Sequence, residues 1–287
     1  MEFDNENAPM SRRKFVGGIA AGAVGAGLLA MGGEWAGAEK SPYGPFRMSL
    51  QSYSLRHFPL EEALKITQSL GVKYWEAYPG HFDVTDSVTE QNRIKGLLKA
   101  HDITLKTFGV VYYGNNEKDW RRAFEFAKSM GIETLSSSPA PDSFALLNKL
   151  VDEYKINIAI HNHGPGDRYA KIAAEAEALK GQSIRIGSCI DTGHFLRSSE
   201  DPVLAAQTFG KRVYGVHLKD VKTEANGDKR FTEVGKGELN TPLLLQTLKK
   251  NGFKGLLSIE YEEHESDPTS YIEECLAATR EAVKKVK

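Results

Sequence analysis

The sequence is poor in cysteine, has no excess of either charge, and has no long apolar run after its N-terminal segment. Two cysteines exclude a disulfide framework. With 37 basic and 38 acidic residues the net charge is −1, so no positive field attracts a phosphate backbone, and nucleic acid is not an expected partner. What is present is a chain of 287 residues, 40% of them hydrophobic, which is typical of one large folded domain.

Residues 1–38 have the composition of an export signal rather than of a fold. Arg12 and Arg13 precede a run rich in Gly, Ala and Leu, and Ala-Gly-Ala at 36–38 provides the small residues of a cleavage site. The paired arginines followed by Phe15 are similar to twin-arginine signals, which implies export of the folded chain by the twin-arginine machinery, to the periplasm or outside the cell. The alternatives are an uncleaved membrane anchor and a chance basic pair before an apolar helix. The glycine-rich run is weakly apolar, so we expect no stable membrane insertion after cleavage.

After a linker at 39–46, short β-branched runs alternate with longer amphipathic segments, which predicts the strand–helix units of a parallel sheet. The predicted strands are 47–53, 73–77, 104–110, 132–136, 156–161, 184–190, 213–218 and 256–261. Eight units over 47–287 predict a (β/α)8 TIM barrel in the α/β class. A doubly wound open sheet is the weaker alternative, because no glycine-rich dinucleotide motif follows the first strand.

The chemistry of such a barrel gathers at the C-terminal ends of its strands, and the later strands here end in imidazoles and carboxylates. These residues are His161, Asp191, His217 and Glu260. Mixed nitrogen and oxygen donors suit a divalent metal such as Mn, Co or Zn. One such residue at a strand end is usually structural, but four that converge through a repeated unit favour a metal site.

Other strand-end residues are candidates for proton transfer and substrate binding. Glu260 is the first candidate for a base and Glu76 the second, while His163 and Lys219 are candidates for returning a proton. Structural alternatives are a capping role for His163 and an ordinary salt bridge for Lys219. Aromatic faces for a sugar ring are offered by Tyr53, Trp75 and Tyr112.

The polar stretch 222–240 predicts a long loop over the barrel mouth. Within it, Gly235-Lys236-Gly237 suggests a phosphate cradle. Two glycines in a loop are weak support for that interpretation, and a plain turn is the stronger one.

Four motifs, I-D-T-G-H-F, V-Y-G-V-H-L-K-D, V-G-K-G-E-L-N and L-S-I-E-Y-E, resemble the xylose-isomerase-like TIM-barrel superfamily of sugar isomerases and epimerases. The resemblance runs from about residue 47 onward. It implies metal ligation by Asp191, His217 and Glu260, substrate contact by His194, and correspondence of Glu76 to the acidic residue that often ends strand two. At strand five, I-A-I-H-N-H places His161 where the epimerases have a glutamate, and this H-x-H form is similar to the inosose-dehydratase branch.

These features predict a metal-dependent enzyme that removes a proton α to the carbonyl of a sugar. Reprotonation at a neighbouring carbon gives a sugar isomerase or epimerase, which is the leading expectation by a narrow margin. Loss of a β substituent from a keto-glycoside or inosose gives a lyase, which His161 favours because it replaces a carboxylate base. Export favours an unphosphorylated substrate, since sugar phosphates are retained in the cytoplasm.

Two further alternatives belong to other functional classes. A non-catalytic, periplasmic sugar-binding barrel would keep the ligands without turnover. An endonuclease of related fold is disfavoured, because its three-zinc cluster needs roughly twice the ligands counted here, as well as a basic face. The sequence does not determine the oligomeric state, and a homo-oligomer is compatible with it.

Overall fold

The computed structural model of the protein describes residues 41–287. The predicted signal peptide at 1–38 and the first residues of the predicted linker lie outside this range. The strands are β1 Arg47–Gln51, β2 Tyr74–Ala77, β3 Thr104–Val111, β4 Thr134–Ser137, β5 Asn157–His161, β6 Ile186–Asp191, β7 Val213–Leu218, β8 Asp220–Thr223, β9 Lys229–Thr232 and β10 Leu256–Ile259. The helices are α1 Leu60–Ser69, α2 Val88–Ala100, α3 Glu117–Met130, α4 Phe144–Tyr154, α5 Ile172–Ala178, α6 Thr192–Arg197, α7 Pro202–Phe209, α8 Thr241–Lys250 and α9 Thr269–Lys284.

Strands β1–β7 and β10 form a closed parallel barrel in chain order, with β1 paired to β2 on one side and to β10 on the other. The eight predicted barrel strands are confirmed, and their ends differ from the prediction by only one or two residues. Closure leaves no sheet edge, so the open-sheet alternative is wrong. Parallel strands in a closed ring bring all their C-terminal ends to one mouth.

Helix α3 illustrates how the sequence builds each repeated unit. The Asn116 side chain caps its first turn by accepting hydrogen bonds from the next backbone N–H groups. Trp120, Phe124 and Ala127 recur at helical spacing and are fully buried in the core. The helix ends at Gly131, which has a φ of 74°, and glycine adopts this left-handed conformation easily because it has no Cβ. Strand β4 begins three residues later, at Thr134.

Strands β8 and β9 form an antiparallel hairpin within the stretch that was predicted to be a long loop. The prediction of a plain loop there is wrong. The turn has Ala225 and Asn226 at its centre and is closed by a hydrogen bond from the Gly227 N–H to the Glu224 carbonyl, and Gly227 follows it with a φ of 87°. A glycine at this position is a recognised hairpin signal that the polar composition obscured. The hairpin begins one residue after β7, and it places Phe231 beside the barrel mouth, opposite Val221.

The backbone N–H groups of the glycine segment after the hairpin already bind a carboxylate of the protein itself. The Asp220 carboxylate accepts hydrogen bonds from the backbone N–H groups of Gly235 (2.9 Å), Gly237 (3.0 Å) and Leu239 (2.9 Å). A phosphate at this place would compete with that carboxylate for the same donors. The segment is therefore a turn tied to β8, in agreement with the stronger sequence interpretation. Over residues 41–287, no helix combines the length and apolar character that crossing a membrane requires.

Candidate metal centre and active site

The four predicted ligands meet at the C-terminal mouth of the barrel. His161 ends β5, Asp191 ends β6, His217 lies in β7 and Glu260 directly follows β10, and one ligand atom of each lies within 4.8 Å of the others. The Nδ1 atom of His217 is 2.9 Å from Nε2 of His161 and 2.9 Å from Oε2 of Glu260. All four side chains are buried. We call this group the ligand cage.

The donor atoms of the cage face one another, and the two imidazoles share a hydrogen bond between Nε2 of His161 and Nδ1 of His217 without satisfying the carboxylate oxygens. Oδ2 of Asp191 and Oε2 of Glu260 accept no well-aligned hydrogen bond from residues 41–287, although the Lys219 ammonium lies 3.0 and 2.8 Å away. Burial lowers the pKa of His161 to about 4, so its ring is neutral at pH 7 and keeps a lone pair. Burial would raise the pKa of Asp191 and of Glu260, but the charge of Lys219 and the neighbouring histidines together outweigh burial, so both pKa values are lowered. Neutral imidazole and ionised carboxylates are the forms that bind metal.

The charges around the cage balance when a divalent cation is added. Glu76, Asp191 and Glu260 are buried carboxylates whose pKa values are lowered, by His217 for Glu76 and chiefly by Lys219 for the other two, against the opposing effect of burial. They contribute three negative charges, and Lys219 contributes one positive charge. Against the opposing effect of burial, without a metal ion these carboxylates raise the pKa of His217 well above its ordinary value, and the set with a protonated His217 still has one uncompensated negative charge. A divalent cation that takes the place of this proton makes the set neutral. Because burying net charge is costly, these residues fit a divalent cation.

A cavity of about 340 Å³ opens above the cage. It is lined by the predicted residues Tyr53, Tyr112, His161, His163, His194, Lys219 and Glu260. It is also lined by residues that sequence reasoning missed, among them Gln51, Tyr78 and Glu262. A larger cavity of about 480 Å³ lies at the opposite end of the barrel beside Arg47 and Val213, away from the cage. The chemistry of the donors, rather than cavity size, identifies the candidate site.

Two residues that were predicted to act on or bind substrate do not line the cavity, and both lie in β2. Trp75 is fully buried and packs against His81 and Phe82, so its predicted role in substrate binding is corrected to a core role. Glu76 is 1% exposed and lies 3.0 Å from Nε2 of His217, on the side of that ring opposite the cavity. Its carboxylate is thus not placed to take a proton from a substrate, contrary to the expectation of a second base there.

Two histidines and a tyrosine form one wall of the cavity. The Tyr112 hydroxyl lies 3.2 Å from Nε2 of His163, and the ring centres of His163 and His194 are 5.3 Å apart. The backbone N–H of His194 donates to Oδ1 of Asp191 (2.8 Å), because Asp191 caps α6. Burial lowers the pKa of His163, and it lowers that of His194 to about 4. Both rings are neutral at pH 7 and suit hydrogen bonding to substrate hydroxyls.

Lys219 joins the cage to the cavity wall. Its ammonium contacts Glu262 as well as Asp191 and Glu260, and it lies 5.2 Å from the ring centre of Phe231. Burial raises the pKa of Glu262. The motif E-Y-E after β10 contained the signal for Glu262, because alternate residues of an extended chain point the same way.

The family model described as xylose isomerase-like TIM barrel matches residues 64–282. The chain belongs to this family. Its curated relatives include the rhizopine catabolism protein MocC of Rhizobium meliloti, 28% identical over 42% of this chain and 41% of the relative. They also include the inosose dehydratase of Mesomycoplasma hyopneumoniae strain 7448, 26% identical over 46% of this chain and 49% of the relative. The chain thus spans less than half the length of the relatives it matches.

Solved structures share the fold of this chain. A protein of Parabacteroides distasonis is 28% identical, with a TM-score of 0.64 over 83% of this chain and 99% of its own. The IolI protein, whose structure has a bound zinc atom, is 16% identical, with a TM-score of 0.68 over 84% of this chain and 99% of its own. At 16% identity the likeness to IolI shows the fold alone.

Proposed function

We propose that the protein is a divalent-metal-dependent enzyme that removes the proton α to the carbonyl of an unphosphorylated keto-sugar or cyclitol ketone, and then eliminates a β oxygen substituent. The observation that carries the proposal is the buried two-imidazole, two-carboxylate cage that opens into a cavity lined by proton-transfer groups. The zinc atom in the IolI structure and the relatives named inosose dehydratase support it.

His161, Asp191, His217 and Glu260 would hold the cation, which when bound would polarise a substrate carbonyl and stabilise the charge formed as the α C–H bond ionises. The carboxylate of Glu260 lines the cavity and takes the α proton. The electron pair of that C–H bond forms the new C=C bond, and the bond from the β carbon to its oxygen breaks. The Lys219 ammonium gives a proton to the departing oxygen, so the products are an enone and water or an alcohol.

Elimination is favoured over epimerisation by the residue at the end of β5. Epimerisation by two facing bases needs a second group that accepts and returns a proton on the opposite face of the carbon. His161 stands at that position, and its Nε2 is directed to His217 and Asp191 within the cage. Sugar isomerisation or epimerisation, which starts with the same proton removal, is the second candidate, and membership of the xylose isomerase-like family favours it.

The charges at the cavity support an unphosphorylated substrate. Among residues 41–287, Lys219 is the one lysine or arginine that lines the cavity, and its ammonium is surrounded by the carboxylates of Asp191, Glu260 and Glu262. A phosphate group would have to displace those carboxylates, whereas Tyr53, Tyr78 and the two histidines offer neutral hydrogen-bonding groups to sugar hydroxyls.

A screen of keto-glycosides, ketoses and inososes with Mn²⁺, Co²⁺ or Zn²⁺ tests the function. Elimination forms an enone that absorbs in the ultraviolet, and isomerisation gives a product of unchanged mass. Exchange of the α hydrogen with deuterated water reports proton removal even where turnover is slow. Binding of these compounds without exchange or product would instead support a sugar-binding barrel and refute an enzyme.

We also propose that the protein is exported through the twin-arginine machinery, on the basis of Arg12, Arg13 and the apolar run that follows. The test is fractionation of cells that express the full chain. The wild-type chain is expected outside the cytoplasm with a new N-terminus near residue 39. A chain with Arg12→Lys and Arg13→Lys should remain in the cytoplasm, and export of that variant would contradict the proposal.

A further inference from the structure

A buried polar layer lies directly beneath the ligand cage. The Ser136 hydroxyl donates a hydrogen bond to Oε1 of Glu76 (2.8 Å), and the Ser258 hydroxyl donates to Oε2 (3.0 Å). Glu76, Ser136 and Ser258 come from β2, β4 and β10, and each is at most 1% exposed. Residues of three strands therefore hold the Glu76 carboxylate in the barrel interior. Burial of a charged group is unfavourable, and hydrogen bonds such as those from the two serines offset part of that free energy.

His217 is the cage residue that borders this layer. Its Nδ1 atom faces Glu260 and His161, each at 2.9 Å, while its Nε2 atom lies 3.0 Å from Oε1 of Glu76. Nε2 has no well-aligned hydrogen bond to any of residues 41–287, so the nearby Glu76 oxygen is its electrostatic partner. A carboxylate can only accept, and the two serine hydroxyls already donate to it. Glu260 faces Nδ1 in the same way, but Glu260 is itself a cage ligand, whereas the serines hold Glu76 outside the cage. With an ion in the cage the ring proton therefore belongs on Nε2, beside Glu76, and the Nδ1 lone pair is directed to the ion.

From this geometry we infer that Glu76 is a positioning residue for His217: it selects the ring tautomer and orientation in which Nδ1 can ligate a metal ion. The inference rests on the proposed metal site. Metal-ligating histidines commonly direct their second nitrogen to a carboxylate, and loss of such a partner lowers metal affinity about 10–100-fold. Glu76 acts through His217 and does not touch substrate, which separates its role from that of Glu260.

The test is titration of the full chain with Co²⁺, with competition by a chelator to obtain the dissociation constant. Glu76→Ala is expected to weaken binding about 10–100-fold and to change the visible Co²⁺ spectrum, which reports ligand geometry. Glu76→Gln keeps an acceptor for Nε2–H and should stay within about tenfold of wild type with a near-wild-type spectrum. Where the alanine variant does not fold, Glu76→Met fills the space without a comparable acceptor and serves in its place.

Glu175→Ala is the matched control, because Glu175 is another fully buried carboxyl, in α5 and outside the cage. Wild-type affinity in Glu76→Ala would overturn the inference, as would an equal loss in Glu76→Gln or in Glu175→Ala. Asp191→Ala separates the two hypotheses. Unchanged Co²⁺ binding in that variant refutes the metal site itself, whereas lost binding there with no effect at Glu76 refutes only the positioning role.

Discussion

The ammonium nitrogen of Lys219 lies 2.8 Å from Oε2 of Glu260, and both side chains are buried. The same ammonium is 3.0 Å from Oδ2 of Asp191. A metal ion in the cage and the lysine would therefore act on the same two carboxylate oxygens. Lys219 stabilises these carboxylates in the absence of metal, and its positive charge opposes the binding of a second cation nearby.

We expect Lys219→Met to bind Co²⁺ more tightly than wild type while its metal-free form is less stable and its turnover is lost. Removal of one partner from a buried ion pair costs about 3–5 kcal/mol in unfolding free energy. Denaturant unfolding in chelator and Co²⁺ titration measure the two effects. Lys229→Met, at a partly exposed lysine of the hairpin, is the control. Weaker Co²⁺ binding in Lys219→Met would show that the lysine supports the cage rather than opposes the ion.

Metal should stabilise the folded protein through Asp191. At a free metal concentration of 100 times the dissociation constant, the unfolding free energy rises by about 2.7 kcal/mol, because the ion binds only the folded state. For a domain of this size this is a rise of roughly 5–10 °C in Tm. Asp191→Ala should show no rise, whereas Asp86→Ala, at an exposed surface pair, should behave as wild type. A wild-type rise in Asp191→Ala would place the ion elsewhere.

Gly193 is required by close packing at the site. A Cβ at this position would lie 2.7 Å from Cβ of Lys219 and 2.8 Å from Cε1 of Phe231. We expect Gly193→Ala to lower the unfolding free energy by about 1–3 kcal/mol and to reduce Co²⁺ affinity, because the lysine and the hairpin must move. Gly96→Ala in α2 meets no atom within 4 Å and should be neutral or stabilising by up to about 1 kcal/mol. Equal stability of both variants would contradict this explanation.

Glu175 should make the folded state less stable as pH rises. It is fully buried, neither carboxylate oxygen has a hydrogen-bond partner among residues 41–287, and burial raises its pKa well above the ordinary value. The folded state holds the Glu175 proton more tightly than the unfolded state does. The contribution of this proton to the unfolding free energy is therefore fully present below the ordinary pKa of glutamate, and it is lost as pH rises toward the pKa of Glu175 in the folded state.

We therefore expect Glu175→Gln to be increasingly more stable than wild type as pH is raised from 5 to 9, as measured by denaturant unfolding. Glu90→Gln removes an exposed carboxylate and should show no such trend. A difference between Glu175→Gln and wild type that stays constant with pH would mean that Glu175 is ionised in the folded state.

The site residues show which inferences from sequence succeed. His161, Asp191, His217 and Glu260 could be chosen because each stands at the end of a strand in an eight-fold repeat, and the barrel brings such ends together. Trp75 was assigned to the cavity because it also lies near a strand end. Successive residues of a strand point to opposite faces of the sheet. Trp75 therefore packs into the hydrophobic core, whereas Glu76, the next residue, points into the barrel interior.

The sequence by itself determined the strand–helix repeat, the closed barrel and the identity of the four cage residues, because periodicity and strand-end chemistry are local properties. Only the tertiary structure decided that Glu76 lies beneath His217, that Glu262 joins Lys219, and that the hairpin brings Phe231 to the mouth. These relationships join residues from different strands across the barrel axis. Their distances depend on barrel register and side-chain packing, which no short stretch of sequence specifies.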